Sequence, residues 1–162
     1  MVKKDESMFK IDATSIDFPD NHFDSVICMS ALEHIENFDE VFNEIHRVLK
    51  PKGQFLLNTP WLFPFHGAPD DYFRFSSTAL KNRLSSNFQI KEFKAVGNFW
   101  LSQAVFLQRP EWSRIVQNKK TKPYDFILRL IGIIFMIIGS SASKTDPDDN
   151  YSLLYCILCE NN

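Results

Sequence analysis

The sequence predicts an α/β fold centred on a parallel strand pair, and three observations carry that prediction. Two short apolar runs, Ser25 to Met29 (SVICM) and Gln54 to Asn58 (QFLLN), have the composition of strands buried on both faces. Between them Phe38, Val41, Phe42, Ile45, Val48 and Leu49 recur at helical spacing. The chain has 162 residues, 44% hydrophobic and 23% charged, as expected of a single globular domain spanning residues 1–162.

Each element follows in order. MFKIDA (Met8 to Ala13) reads as a strand ending near Asp12, which would set a carboxylate at the sheet edge. The strand, helix, strand unit that follows makes its two strands parallel neighbours with a right-handed connection. Both carboxyl ends then lie on one edge, so Ser30 and Asn58 face the same crevice. Asn37 followed by Glu40 has the form of a capping box, and Lys50-Pro51-Lys52-Gly53 supplies the helix stop. Ser76 is the expected N-cap of a short helix through Leu84, followed by a strand from Phe88 to Val96. Next come a helix from Trp100 to Leu107, broken at Pro110, and a polar loop through Lys120. Phe126 to Gly139 is almost wholly apolar, and a polar turn (SKTDPDDN) leads into the last strand, Tyr151 to Cys159.

Composition excludes several functions. Eighteen Lys+Arg against twenty Asp+Glu give a net charge of −2, with no basic block to neutralise a run of phosphates, so nucleic acid is not an expected partner. The five glycines, Gly53, Gly67, Gly97, Gly132 and Gly139, are nowhere closer than seven residues, which rules out both G-x-G-x-x-G and P-loop motifs within the chain. An odd count of three cysteines and an N-terminus without an apolar h-region suggest a cytoplasmic location. Cys156 and Cys159 form a C-x-x-C inside a strand-like run, where residues three apart point to opposite faces. With no second Cys or His pair at metal spacing, no metal site is expected.

Five spaced features coincide between Phe9 and Pro60: Asp12-Ala13, the Phe18-Pro19 turn, Phe23-Asp24 before a strand, Leu32-Glu33-His34 after it, and Leu49-Lys50-Pro51-x-Gly53. Together they resemble the central stretch of class I S-adenosylmethionine-dependent methyltransferases, in the type 11 group. The resemblance implies a partial Rossmann-like sheet, mostly parallel with an antiparallel last strand, and helices on both faces. It implies S-adenosylmethionine as cofactor, with residues 1–60 as the cofactor side and 61–162 as the acceptor side. By position, Asp12 would accept from the adenine amino group and Ala13 would donate a backbone N–H to the ring. Ser30 and Ala31 would border the methionine end, and His34 would lie near the transferred methyl. The family's glycine-rich loop and ribose-gripping acid precede the matching region. The seven residues before Met8 cannot hold them, so the chain is expected to be the C-terminal two-thirds of such a domain.

Methyl transfer is an in-line displacement that depends on positioning, and a base is needed only if the nucleophile must lose a proton. His34 and His66 are the candidate bases because imidazole titrates nearest neutrality. For His34, a helix-start residue that caps or packs is the other reading. His66 lies in PWLFPFHGAPDDYFRF, whose prolines and Gly67 forbid regular structure while its aromatic residues offer apolar walls. That loop suits an acceptor lid with Trp61, Asp71, Tyr72 and Arg74 as binding residues. The alternative is a core-covering loop in which Arg74 pairs with Asp70 or Asp71. HGAPDDYFRFS also resembles a subset of these enzymes associated with polysaccharide or cell-envelope metabolism, so a small-molecule or glycan-related acceptor is expected. His22 and His46 read as surface positions. Phe126 to Gly139, at fourteen residues with Arg129 inside, falls short of the roughly 20 that span a bilayer. Packing on the sheet is expected, with peripheral membrane contact the alternative. A second reading of the whole chain is a non-catalytic remnant that pairs through its sheet edge with a missing N-terminal half or with another copy.

Overall fold

The computed structural model describes residues 11–67, 70–116, 120, 122–142 and 150–162, and the side chains of 109–116 are outside that description. The elements in chain order are β1 (Phe23–Met29), a 3-10 turn (Leu32–His34), α1 (Phe38–Val48), β2 (Leu49–Pro60) and α2 (Ser77–Leu84), followed by β3 (Phe88–Val96), α3 (Phe99–Val116), α4 (Pro123–Ser141) and β4 (Leu154–Asn161). The sheet order is β1-β2-β4-β3. β1 and β2 are parallel, with Val26 opposite Phe55 and Met29 opposite Asn58. β4 is inserted antiparallel between β2 and β3, as the resemblance implies.

The core lies on one face of this sheet. Phe55 and Leu57 of β2 and Tyr155, Ile157 and Cys159 of β4 point to it by strand alternation, and each is at most 1% exposed. Val41, Phe42 and Ile45 of α1 and Leu80 and Leu84 of α2 close over them. On the other face, Ile27 and Met29 of β1 are 64% and 55% exposed. The expected burial of that strand on both faces is thus met on one. Burial holds the Cys159 thiol well above its usual range, at about 12, as befits an inert core sulfur.

Local details correct four expectations. Asn37 precedes α1, but its side chain makes no capping bond; only its carbonyl accepts from Glu40 N–H, at 3.1 Å. Lys50–Gly53 is not a separate stop but lies within β2, where the ladder slips: Phe23 pairs with Leu49 and Ser25 with Gln54. His46 is half-buried rather than on the surface, its Nδ1 2.5 Å from Asn161 Oδ1 and its ring edge-on to Phe88. α3 runs past Pro110 to Val116, because packing along α4 outweighs the single intrahelical bond that proline removes. Ser76 does cap α2, accepting from Ala79 N–H at 3.3 Å. The expected strand before Ile11 and most of the turn from Ser143 lie outside the described residues.

The apolar segment near the C-terminus departs most from expectation. It forms a 19-residue helix, α4, and packs against α3 instead of the sheet. Gly139 allows the close approach: a Cβ there would stand 2.8 Å from Leu101 Cγ. Trp100 and Phe135 meet edge to face at 5.2 Å. The opposite surface is open, with Phe126 62%, Ile134 54% and Ile137 60% exposed. By length and composition α4 is long and apolar enough to cross a membrane, with mean hydropathy 1.7. The helix extends beyond both ends of the apolar run, which explains why counting that run alone fell short.

Candidate functional site

The parallel pair β1 and β2 ends at Ser30 and Asn58, and these two residues meet as expected. Ser30 N–H donates to the Asn58 carbonyl and Ser30 Oγ to Asn58 Oδ1, both at 3.0 Å. Asn58 is 6% exposed and its amide donates onward to Cys156 Sγ at 3.2 Å. Ser30 holds φ +46°, a left-handed backbone that a serine rarely adopts, so the chain breaks sharply from the strand here. Ala31 then opens the 3-10 turn, which buries Leu32 and Glu33 completely.

Asp12 and Ala13 lie elsewhere along β1. Ala13 lines an apolar groove of about 370 Å³ with Ile11, Ile16, Phe18 and Val26. The part of β1 that lines this groove is Phe23, Ser25 and Val26, in the first half of the strand, whereas Ser30 follows its last residue. Asp12 is exposed, and its Oδ1 accepts from both Thr14 N–H at 2.9 Å and Thr14 Oγ1 at 2.7 Å. Those bonds hold its carboxyl below the usual range. The segment is fixed to α1 by Arg47, which donates to the carbonyls of Ile16 and Phe18 and to Glu44. Arg47 in turn lowers the Glu44 carboxyl to about 2.

The fit to S-adenosylmethionine is therefore partial. A polar strand edge at Ser30 and Asn58 and an apolar groove beside Ala13 are both present, lined by different residues.

The aromatic loop after β2 folds back over the 3-10 turn. Tyr72 and Phe73 N–H both donate to the Glu33 carbonyl, at 2.9 and 3.3 Å. Arg74 and Asp71 hold the loop's shape: Nη1 to Oδ1 is 2.5 Å, Nη2 to Oδ2 is 2.8 Å, and Arg74 also donates to the Phe63 and Pro64 carbonyls. Asp71, whose side chain is fully buried, also accepts from His66 N–H at 2.7 Å. Arg74 beside it holds its carboxyl down at about 2. This is the Asp71 pairing that the sequence left open for Arg74. Tyr72 is 46% exposed and, with Phe63, Phe65, Phe73, Asp71 and Arg74, lines a shallow groove of about 200 Å³. Trp61 is half-buried, its indole N–H without an acceptor among the described residues.

The loop also brings His66 against His34, ring centroids 4.9 Å apart and edge to face. Glu33 lies beneath both, its Oε1 3.8 Å from His34 Nε2 and 3.7 Å from His66 Nε2. Sequence reasoning named the two histidines but missed the carboxylate between them. The signal available was Leu32-Glu33-His34 directly after a strand, a buried-side acid next to a candidate base. Cys28, on the inward face of β1, has its thiol pushed up to about 11 by burial and then by the charge of Glu33.

Comparison with known proteins bears on the sequence and the fold. Residues 2–57 match the methyltransferase domain family of type 11. The demethylmenaquinone methyltransferase of Geobacillus kaustophilus is 29% identical over 137 residues, covering 78% of this chain and 53% of that protein. The sterol 24-C-methyltransferase of Eremothecium gossypii is 47% identical over 49 residues, 30% of this chain and 13% of that one. The chain thus spans about half the length, or less, of these curated relatives. Among solved structures, an S-adenosylmethionine-dependent methyltransferase from Archaeoglobus fulgidus superposes with TM-score 0.56 at 14% identity, over 94% of this chain and 66% of that one. S-adenosylmethionine is the cofactor that goes with this family and fold. Over residues 2–57 the chain is similar to the type 11 methyltransferase domain family, and it has the Rossmann-like fold seen in class I S-adenosylmethionine-dependent methyltransferases.

Proposed function

We propose that the chain carries cofactor-side and acceptor-side residues of an S-adenosylmethionine-dependent methyltransferase whose acceptor is an amphiphile at a membrane surface. The observation that carries the first half is the polar strand edge at Ser30 and Asn58, bordered by an aromatic loop and two imidazoles. In this reading Asp12 and Ala13 take the adenine, and Ser30 and Ala31 the methionine end. His34 or His66 receives the acceptor's proton, and Trp61 and Tyr72 form apolar walls. Asp71 and Arg74 act by holding the loop rather than by gripping the acceptor.

The membrane half of the proposal rests on α4, whose outer face exposes Phe126, Ile134 and Ile137. The two relatives above are named for lipid-soluble acceptors, a sterol and a menaquinone precursor. The test is incubation of the protein, extended through its upstream reading frame, with methyl-labelled S-adenosylmethionine and separated lipid and glycan extracts. Label should enter the lipid fraction, and His66→Ala should lower turnover. Label entering only the water-soluble glycan fraction would refute the membrane assignment.

A second reading is favoured by the exposed Ile27 and Met29 of β1, an edge strand with one uncovered apolar face. There the chain acts as a non-catalytic module that pairs through this strand with another chain. Light scattering separates the two: a stable dimer that takes up no cofactor would support the second.

A further inference from the structure

Glu33 is 0% exposed, and neither of its carboxylate oxygens has a hydrogen-bond donor among the described residues. A buried carboxylate left alone is strongly disfavoured, so this one calls for a positive partner. Two imidazoles face it, and their outer hydrogen bonds fix which nitrogen is bare.

His34 Nδ1 sits on the backbone carbonyl of Asp70, which can only accept. His34 is therefore protonated at Nδ1, and in the neutral ring Nε2 carries a lone pair. His66 Nδ1 lies 3.1 Å from the Pro64 carbonyl and 3.1 Å from Arg74 Nη2. Nη2 has two hydrogens, and both are engaged, with Pro64 O at 3.0 Å and Asp71 Oδ2 at 2.8 Å. His66 Nδ1 is thus the donor to Pro64, which leaves its Nε2 bare as well. Glu33, His34 and His66 each offer one ligand atom within 4.8 Å of the others, and Glu33 Oε1 lies 3.8 and 3.7 Å from the two Nε2 nitrogens.

We propose that Glu33, His34 and His66 form a binding site for a divalent first-row transition ion of the zinc class. A pair of bonds near 2.1 Å at a tetrahedral angle separates two ligand atoms by about 3.4 Å. The two Glu33-to-His gaps of 3.8 and 3.7 Å need close by only a few tenths of an ångström to reach that value. Two imidazoles with one carboxylate favour zinc, cobalt or iron over calcium or magnesium, which prefer all-oxygen cages. Backbone carbonyls on both Nδ1 groups supply the outer hydrogen bonds that orient ligating histidines elsewhere. Gly67 has φ +68°, and a Cβ there would stand 2.7 Å from His34 Cε1, so the loop reaches His34 only with glycine at this turn. Three protein ligands leave at least one coordination position for water or an acceptor oxygen. Metal binding and the base role are alternatives for these two rings: with the ion bound, neither His34 nor His66 takes the acceptor's proton. Sequence spacing hid the set because His66 lies on a different loop from Glu33 and His34. The site does not depend on methyl transfer and would form whether or not cofactor binds.

The test is titration of the chelator-stripped chain with cobalt(II), followed by its visible ligand-field absorption. One equivalent should bind and be displaced by zinc. Glu33→Gln, His34→Gln and His66→Gln should each weaken binding by at least about 10-fold. His22→Gln and Cys156→Ser should leave the titration unchanged. Gly67→Ala keeps all three ligands and should weaken binding through displacement of His34, which covers the case in which a ligand variant fails to fold. No absorption band, or a band that survives all three ligand variants, overturns the proposal. So does an imidazolium between Glu33 and either histidine, seen by nitrogen NMR at neutral pH and insensitive to zinc.

Discussion

Asp71→Asn isolates the contribution of the loop clamp. The Asp71 side chain is fully buried and paired with both Arg74 Nη groups, and its carboxyl is held at about 2 against an ordinary 3.8. A depressed folded-state value means stability that is fully present above the unfolded value and lost as pH falls through the folded one. At roughly 1.4 kcal/mol per pH unit, the charge contributes about 2 kcal/mol at pH 7. Integrating the same linkage, the contribution is roughly halved by about pH 3 and nearly gone by about pH 2. Asn keeps the size of the side chain and removes the charge, so the variant should be less stable by about 2 kcal/mol at neutral pH. Urea unfolding of both proteins, followed by tryptophan fluorescence across that pH range, measures the difference directly. The gap should narrow on acidification. A gap below about 0.5 kcal/mol at pH 7, the size of an ordinary surface substitution, would refute the reasoning. So would a gap that stays constant down to pH 3, because a charge-based clamp must titrate.

Three further outcomes follow from the same contacts. Asn161→Ala removes an amide that donates to the carbonyls of His46, Leu49 and Lys50, and should cost about 1 to 3 kcal/mol in thermal or urea denaturation. Phe55→Ala empties a core position that is 0% exposed and packs on Phe42 and Phe88, and should cost about 3 to 5 kcal/mol in the same assay. Paired Ile134→Asp and Ile137→Asp should abolish co-sedimentation with phosphatidylglycerol vesicles; retention of binding would move the membrane contact away from α4.

How much of this was legible in sequence depends on how local the determining contacts are. The β1, α1, β2 unit was readable because its period changes from strand to helix and back within 40 residues, and each change is written in the apolar spacing. The Ser30 and Asn58 edge followed from that topology alone. The capping of α2 by Ser76 is equally local. What sequence hid is set by distant partners. His46 looked solvent-facing because nothing nearby shows that Asn161, the last residue of β4, folds back onto the end of α1. α3 was expected to break at Pro110 because local rules do not contain its packing on α4. The Glu33, His34 and His66 cluster needs a loop bent at Gly67 and clamped by Asp71 and Arg74, none of which has a periodic signature.

The central claim, that the Ser30 and Asn58 edge is a cofactor edge, is tested most directly by titrating S-adenosylhomocysteine into nitrogen-15-labelled protein. NMR registers binding even when it is weak. Saturable shifts should appear at the amides of Ser30, Ala31 and Asn58 and at Ala13, with a dissociation constant weaker than micromolar. The absence of any shift up to about 5 mM ligand, where even a complex worth roughly 3 to 4 kcal/mol is populated, would contradict the claim. Shifts confined to α4 or to the aromatic groove of the loop would contradict it equally.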